Sequence, residues 1–217
     1  EALLRQGRED DALARAEALL LDQRRQWGHV EIAAFCERIL VSQGREEEAY
    51  RRFGLPSVSG NTYLAMWRDL VKRYPDLDAR RILEDLIDTH GTKGKWFAAA
   101  KTARFLDIAL DCAAHHDAAP ATLIRAARDL KLKEPGFAMA VALQAIRHLL
   151  EGRGYEPSPI DIDEAVEHLM VAAARLDEVD QARQALQRIA GTALSAGLMA
   201  ERLAWNIAAL SEADRDG

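Results

Sequence analysis

Long apolar runs, a cysteine framework and a basic excess are all missing from this sequence, and each absence removes a class of protein. No window approaches 18 uncharged apolar residues, so no transmembrane helix is expected. The first residue is Glu1 and no basic signal-like start precedes an apolar stretch, so the chain is read as a soluble fragment. The two cysteines, Cys36 and Cys112, each sit in an apolar helical pattern without metal-ligand spacing. Free buried thiols in a reducing cytoplasm are therefore expected rather than a disulfide. A net charge of −6 disfavours a general nucleic-acid binder, which needs a basic surface. Aromatics are only 6% of the residues and prolines number six, while alanine, leucine, glutamate and arginine dominate. That balance favours helix over strand.

What is present is a recurring hairpin signature. LLRQGREDDALARAEALL from Leu3 and ILVSQGREEEAYRRFGL from Ile39 share an apolar pair, Gln-Gly-Arg, an acidic run and an alanine five residues after the glycine, at Gly7/Ala12 and Gly44/Ala49. Glycine permits the tight turn, the acids begin the second helix where its dipole favours them, and alanine lets the helices approach. Weaker echoes place Arg104 and Asp177 in the glycine position and Ala109 and Ala182 in the alanine position. The turn resembles that of a tetratricopeptide repeat. The spacings of 37, 60 and 73 residues are not a regular repeat, and the full set of signature positions is not filled.

Further boundaries follow local signals. Ser59 is the expected cap of NTYLAMWRDLVKRY, whose Leu64, Met66, Trp67, Leu70 and Val71 form an apolar face. Asp76 or Asp78 caps the next helix and Gly91 ends it. Pro120 and Pro135 open helices, Asp161 caps another, and two more follow Asp177. The expected fold is all-α, an irregular α-α superhelix of antiparallel helix pairs, with N-terminal hairpins over 1–58 continued by a helical array over 59–217. The last helix carries a stripe of Met199, Leu203, Ile207 and Leu210, which either caps the array or joins a second copy.

GKWFAAAKTARFLDIALDCA, followed by the GYE-containing loop, resembles a bacterial family of uncharacterised all-helical proteins in which GKWFAAAK-like and GYE motifs recur in that order. The likeness covers roughly residues 69–174. It implies a helical fold and carries no activity, cofactor or mechanism.

The charge is unevenly spread. From His90 to Lys133 eight basic residues stand against four acidic ones, leaving 21 against 31 elsewhere. HGTKGKWF is not a P-loop, because only two residues separate Gly91 from Gly94 and Trp96 stands where a hydroxyl residue is needed. The surviving candidate is a basic, aromatic-bearing surface of Lys93, Lys95, Trp96, Lys101, Arg104, Arg125 and Arg128. Adjacent helical positions diverge by about 100°, so one of Trp96 and Phe97 is expected to face the core. Arg125 and Arg128 are neighbours on one face and line a groove with Lys101 and Arg104 if their hairpins stack, unless Asp107, Asp111 or Asp129 neutralises them. His115, His116 and Asp117 are contiguous but lack helical metal-ligand spacing, so they are read as a polar helix end and no metal or cofactor is assigned. Glu84, Asp85 and Asp88 are spaced as a solvated face.

No complete catalytic motif is present. The expected function is a non-catalytic protein or peptide interaction module for an acidic segment. A nucleic-acid-associated helical repeat, or an accessory domain of an enzyme whose catalytic part lies elsewhere, is the alternative. No membrane partner is implied, and the chain is a monomer or homodimer located in the cytoplasm.

Overall fold

The computed structural model describes residues 2–21, 28–192 and 197–213, which hold helices, turns and loops and no strand. The fold is all-α. No described helix is long and apolar enough to cross a membrane. The chain divides into two compact units, Glu1–Gly91 and Thr92–Gly217.

Unit 1 comprises α1 (Ala2–Arg5), α2 (Glu9–Leu21), α3 (His29–Ser42), α4 (Glu46–Ala49), α5 (Leu55–Ser57), α6 (Tyr63–Arg73) and α7 (Ala79–His90). A π-helical turn, Tyr50–Gly54, joins α4 to α5. Unit 1 thus holds α6 and α7 together with the N-terminal hairpins, and side chains show why. From the end of α6, the Tyr74 hydroxyl donates to Glu37 Oε1 of α3 at 2.5 Å and Arg73 donates to the same oxygen at 2.8 Å. From α7, Arg81 reaches Glu47 of α4, and Asp85 accepts from the Tyr50 hydroxyl at 2.8 Å. Asp85 is thus an acceptor for a buried tyrosine, not part of a merely solvated face.

Unit 2 begins with a 3₁₀ turn, Lys93–Trp96, and continues through α8 (Phe97–Thr102), α9 (Leu106–Ala114), α10 (Pro120–Leu130), α11 (Pro135–Leu150), α12 (Pro159–Ala174), α13 (Val179–Thr192) and α14 (Leu198–Ala213). Its core is built largely from small residues: Ala126 and Ala127 on α10, Ala142 and Ala145 on α11, and Ala172 and Ala173 on α12 are all buried. These three helices pack on one another in turn. Small side chains bring helix axes towards the close end of the usual 8–10 Å range. α14 packs on α12 and α13, burying Leu203 completely while Met199, Ile207 and Leu210 are half-buried. The stripe is therefore covered in part by its own unit.

The hairpin signature corresponds to one backbone device. At five helix ends a residue adopts a left-handed conformation: Gly7 (φ 70°), Gly44 (72°), Arg104 (68°), Gly152 (72°) and Asp177 (57°). At each, the next amide donates to the carbonyl five residues back: Arg8 to Leu3, Arg45 to Leu40, Phe105 to Ala100, Arg153 to His148 and Glu178 to Ala173, at 2.8–3.1 Å. This is a Schellman closure, which satisfies carbonyls the helix would otherwise leave open. Four closures lead directly into a second helix, and there Ala12, Ala49, Ala109 and Ala182 are buried. At Gly152 the same closure leads instead into a loop ending at Ser158.

Helix starts differ in detail. α6 is capped by Thr62, whose hydroxyl accepts from the Ala65 amide at 3.1 Å, rather than by Ser59. Asp78, not Asp76, caps α7. Ser158 holds the extended cap position of α12, and Asp161 sits three residues in, accepting from the Ser158 amide at 2.7 Å. Asp161 is the return arm of the cap rather than the cap itself.

Candidate functional site

The turn carrying Lys93 and Lys95 is clamped from below. Thr92 enters it with φ 48°, and the Gly94 amide donates to Asp117 Oδ1 at 2.7 Å. Gly94 is required by proximity rather than by its dihedrals: a Cβ there would press on the backbone of Ala118, with its Cα only 2.8 Å away. Lys93 reaches across to Asp111 of α9.

Trp96 has no exposed surface and Phe97 has 1%. Trp96 thus leaves the candidate surface, and the expectation that only one of the two faces the core is corrected. The geometry changes between them, since Trp96 ends the 3₁₀ turn and Phe97 begins α8. The 3₁₀ turn packs on α9, while the Phe97 ring stacks on Phe137 of α11 at 6.2 Å between centroids. Core therefore lies on two sides, and an indole buried this completely is packing, not a platform.

The cations sort into paired and unpaired. Arg104 donates to Glu134 at 2.6 Å, Arg128 to its neighbour Asp129 at 3.0 Å, and Lys131 to Glu167 at 3.3 Å. With Lys93 on Asp111, these charges are substantially balanced inside the unit. Arg125 bonds only its own helix, to the Ala121 carbonyl and Thr122 hydroxyl. Lys95, Arg125 and Lys133 are exposed and Lys101 is half-buried, and none of the four has an acidic partner among the described residues. α8 packs on α9 and on the 3₁₀ turn, α10 packs on α11 and α12, and the two hairpins meet where α9 packs on α11 and Phe97 on Phe137.

The segment beneath the turn holds the densest chemistry. α9 stops at Ala114, and the Ala118 amide bonds the His115 carbonyl at 3.0 Å, closing a tight turn over His115–Ala118. Within it His115 Nδ1 donates to Asp117 Oδ1 at 2.5 Å, and the His115 and His116 rings lie 4.3 Å apart. Burial tends to raise the Asp117 pKa, but the His115 hydrogen bond and the Gly94 amide outweigh it and leave the carboxyl below its ordinary range. Helical divergence, the reason for setting these residues aside, does not apply because they are not helical. The signal was in HHDAAP: Pro120 fixes the start of α10 and leaves only five residues, 115–119, in which the chain must turn.

Neighbouring Cys112 does not complete a nucleophilic set. It is fully buried, and burial followed by the charge of Asp111 pushes its thiol up to about 11. A thiol held protonated is inert as a nucleophile. Cys36 is likewise buried with its pKa raised, chiefly by burial. His148 of α11 supports the turn from below, donating through Nδ1 to the Ala118 carbonyl at 3.1 Å.

Clefts lie elsewhere. In unit 1 an apolar cleft of about 320 Å³ opens beside α2 and α3, walled by Leu3, Leu19, Ile32 and Phe35. In unit 2 another of about 360 Å³ lies between α11 and α13, with Arg147 and Arg188 at its lip. Comparison with protein-family models, curated proteins and solved structures finds no match to this chain.

Proposed function

We propose that this chain is a non-catalytic interaction module that takes an acidic peptide or an acidic protein segment. The observation that carries the reading is the set of unpaired cations, Lys95, Lys101, Arg125 and Lys133, beside four central cations, Lys93, Arg104, Arg128 and Lys131, that are matched internally. An exposed cation left without an acid is available to an external one. The recurrent closures supply the second support: a rigid series of hairpins is the construction that helical-repeat binders use. The tetratricopeptide-like reading, the superhelical arrangement, the kinship with the uncharacterised bacterial helical family and a cytoplasmic location belong to this proposal. Nucleic acid is the competing ligand for the same cations, and the overall charge of −6 opposes it.

The test is titration of the full chain with an acidic peptide and with single- and double-stranded nucleic acid at two salt concentrations. Peptide binding weakened several-fold by Lys95→Glu and by Arg125→Glu, with little nucleic-acid affinity, supports the module. Steeply salt-dependent nucleic-acid binding lost in the same variants overturns it.

A further inference from the structure

We propose that His115, His116 and Asp117 form a binding site for a divalent transition-metal ion, with zinc the best match to the donor set. One ligand atom from each of the three lies within 4.8 Å of the others. Two imidazoles and one carboxylate are a borderline-soft donor set that suits zinc and its first-row neighbours over calcium or magnesium. Three protein ligands leave a position for water, and the contiguous spacing works because the residues ride a tight turn rather than a helix.

The surroundings favour a cation. The turn follows the C-terminal end of α9, where the helix dipole presents partial negative charge. Lys93, on the neighbouring 3₁₀ turn, is paired with Asp111. The carboxylate is already oriented, because the Gly94 amide holds Asp117 Oδ1 at 2.7 Å, and metal-ligating carboxylates are characteristically held by such an outer hydrogen bond. His116 is exposed and His115 half-buried, so an ion has an open approach.

His115 Nδ1 and Asp117 Oδ1 stand 2.5 Å apart around a shared hydrogen. Two ligands each about 2.0–2.2 Å from one tetrahedral ion lie roughly 3.4 Å from each other. Binding therefore moves the His115 proton to Nε2, puts the ion where the hydrogen was, and parts the two atoms by nearly an ångström. The strain passes through Asp117 to the Gly94 amide, and so to the turn that carries Lys95.

The test is calorimetric titration of the untagged, chelator-stripped full chain with zinc alone, beside His116→Ala and the control His90→Ala. The expected result is one saturable site, weakened at least about ten-fold by His116→Ala, untouched by His90→Ala, with the Gly94 amide resonance moving on zinc addition. Because His116 is exposed, its removal leaves the fold intact, which circular dichroism checks directly. Absence of saturable binding, equal weakening in both variants, or undiminished binding in His116→Ala overturns the site.

Discussion

Each unit buries an apolar core, and the two differ in the balance of what ties their helices together. In unit 1 long polar side chains tie helix to helix: Tyr74 and Arg73 share Glu37, Tyr50 bonds Asp85, Arg81 and Arg51 both take Glu47, and Arg52 reaches Glu17. In unit 2 alanines pack α10, α11 and α12 against one another, Arg202 of α14 grips Asp163 of α12, and among the described residues the buried polar groups are two histidines, His148 and His168. Sparse, specific hydrogen bonds position elements by geometry. Continuous apolar contact positions them by exclusion of water, which is non-directional and tolerates no voids. Each unit should consequently fail under a different insult.

The largest effect is expected in unit 2. Trp96→Ala removes a fully buried indole and should cost about 3–5 kcal/mol of stability, read by chemical denaturation. A stability loss below about 1 kcal/mol would contradict its core role. In unit 1 the corresponding variant is Tyr74→Phe, which keeps the ring and deletes only the hydroxyl on Glu37. Hydrogen bonds to charged groups are worth about 1.5–3 kcal/mol, and Arg73 still pairs with Glu37, so the lower end is expected. Gly54→Ala should be comparable: its Cβ would stand 2.5 Å from the Tyr74 hydroxyl and 2.6 Å from Cε2 of a ring with nowhere to retreat.

Acid should separate the units by pH window. Burial depresses the pKa of His148, with Arg153 adding to it against the Ala118 carbonyl and Glu151. Burial also depresses that of His168, with Lys131 and Arg128 adding to it against Glu167 and Glu164. The folded values lie below the ordinary 6.5, so as pH falls through 6.5 the unfolded chain takes up protons first. Unit 2 is therefore most stable above 6.5 and loses stability on acidification from there. In unit 1 the Arg81 and then Arg51 hydrogen bonds hold Glu47 down to about 2 from 4.5, so its contribution is present above 4.5 and drains away between 4.5 and 2. Segment-resolved hydrogen exchange, corrected for intrinsic rates, should show unit 2 opening more readily at pH 5 than at pH 7 while unit 1 is little changed. Equal loosening of both would mean that the histidines do not govern the mild-acid response.

Legibility in the sequence followed the same division between local and long-range causes. Helix content, the starts at Pro120 and Pro135 and the hairpin closures are local, and the echoes at Arg104 and Asp177 adopt the same left-handed backbone as Gly7 and Gly44. The division at Gly91 was not readable, because Tyr74 and Glu37 lie 37 residues apart and meet only in the fold. Of the candidate surface, residue type gave the cations but not their partners. Glu134 lies 30 residues from Arg104, and nothing in the spacing announces the pair. Trp96 went astray for a different reason: reading KGKWFAAAK as one uniform helix hides the 3₁₀ turn that lets two adjacent aromatics both be buried.

The smallest effect concerns what the units share. A left-handed residue costs an L amino acid about 1–2 kcal/mol relative to glycine, offset in part by glycine's greater freedom when unfolded. Gly44→Ala in unit 1 should therefore destabilise by about 1 kcal/mol, since its φ of 72° is the obstacle and no neighbour crowds the added Cβ. Arg104→Gly in unit 2 runs the substitution backwards. It relieves the same backbone at φ 68° but gives up the exposed pair with Glu134, worth about 0–1 kcal/mol, so a change between zero and a few tenths of stabilisation is expected. Midpoints of denaturant unfolding measure both. If Arg104→Gly destabilises as much as Gly44→Ala, the ion pair rather than the backbone holds that hairpin, and the two units differ at their turns as well as in their cores.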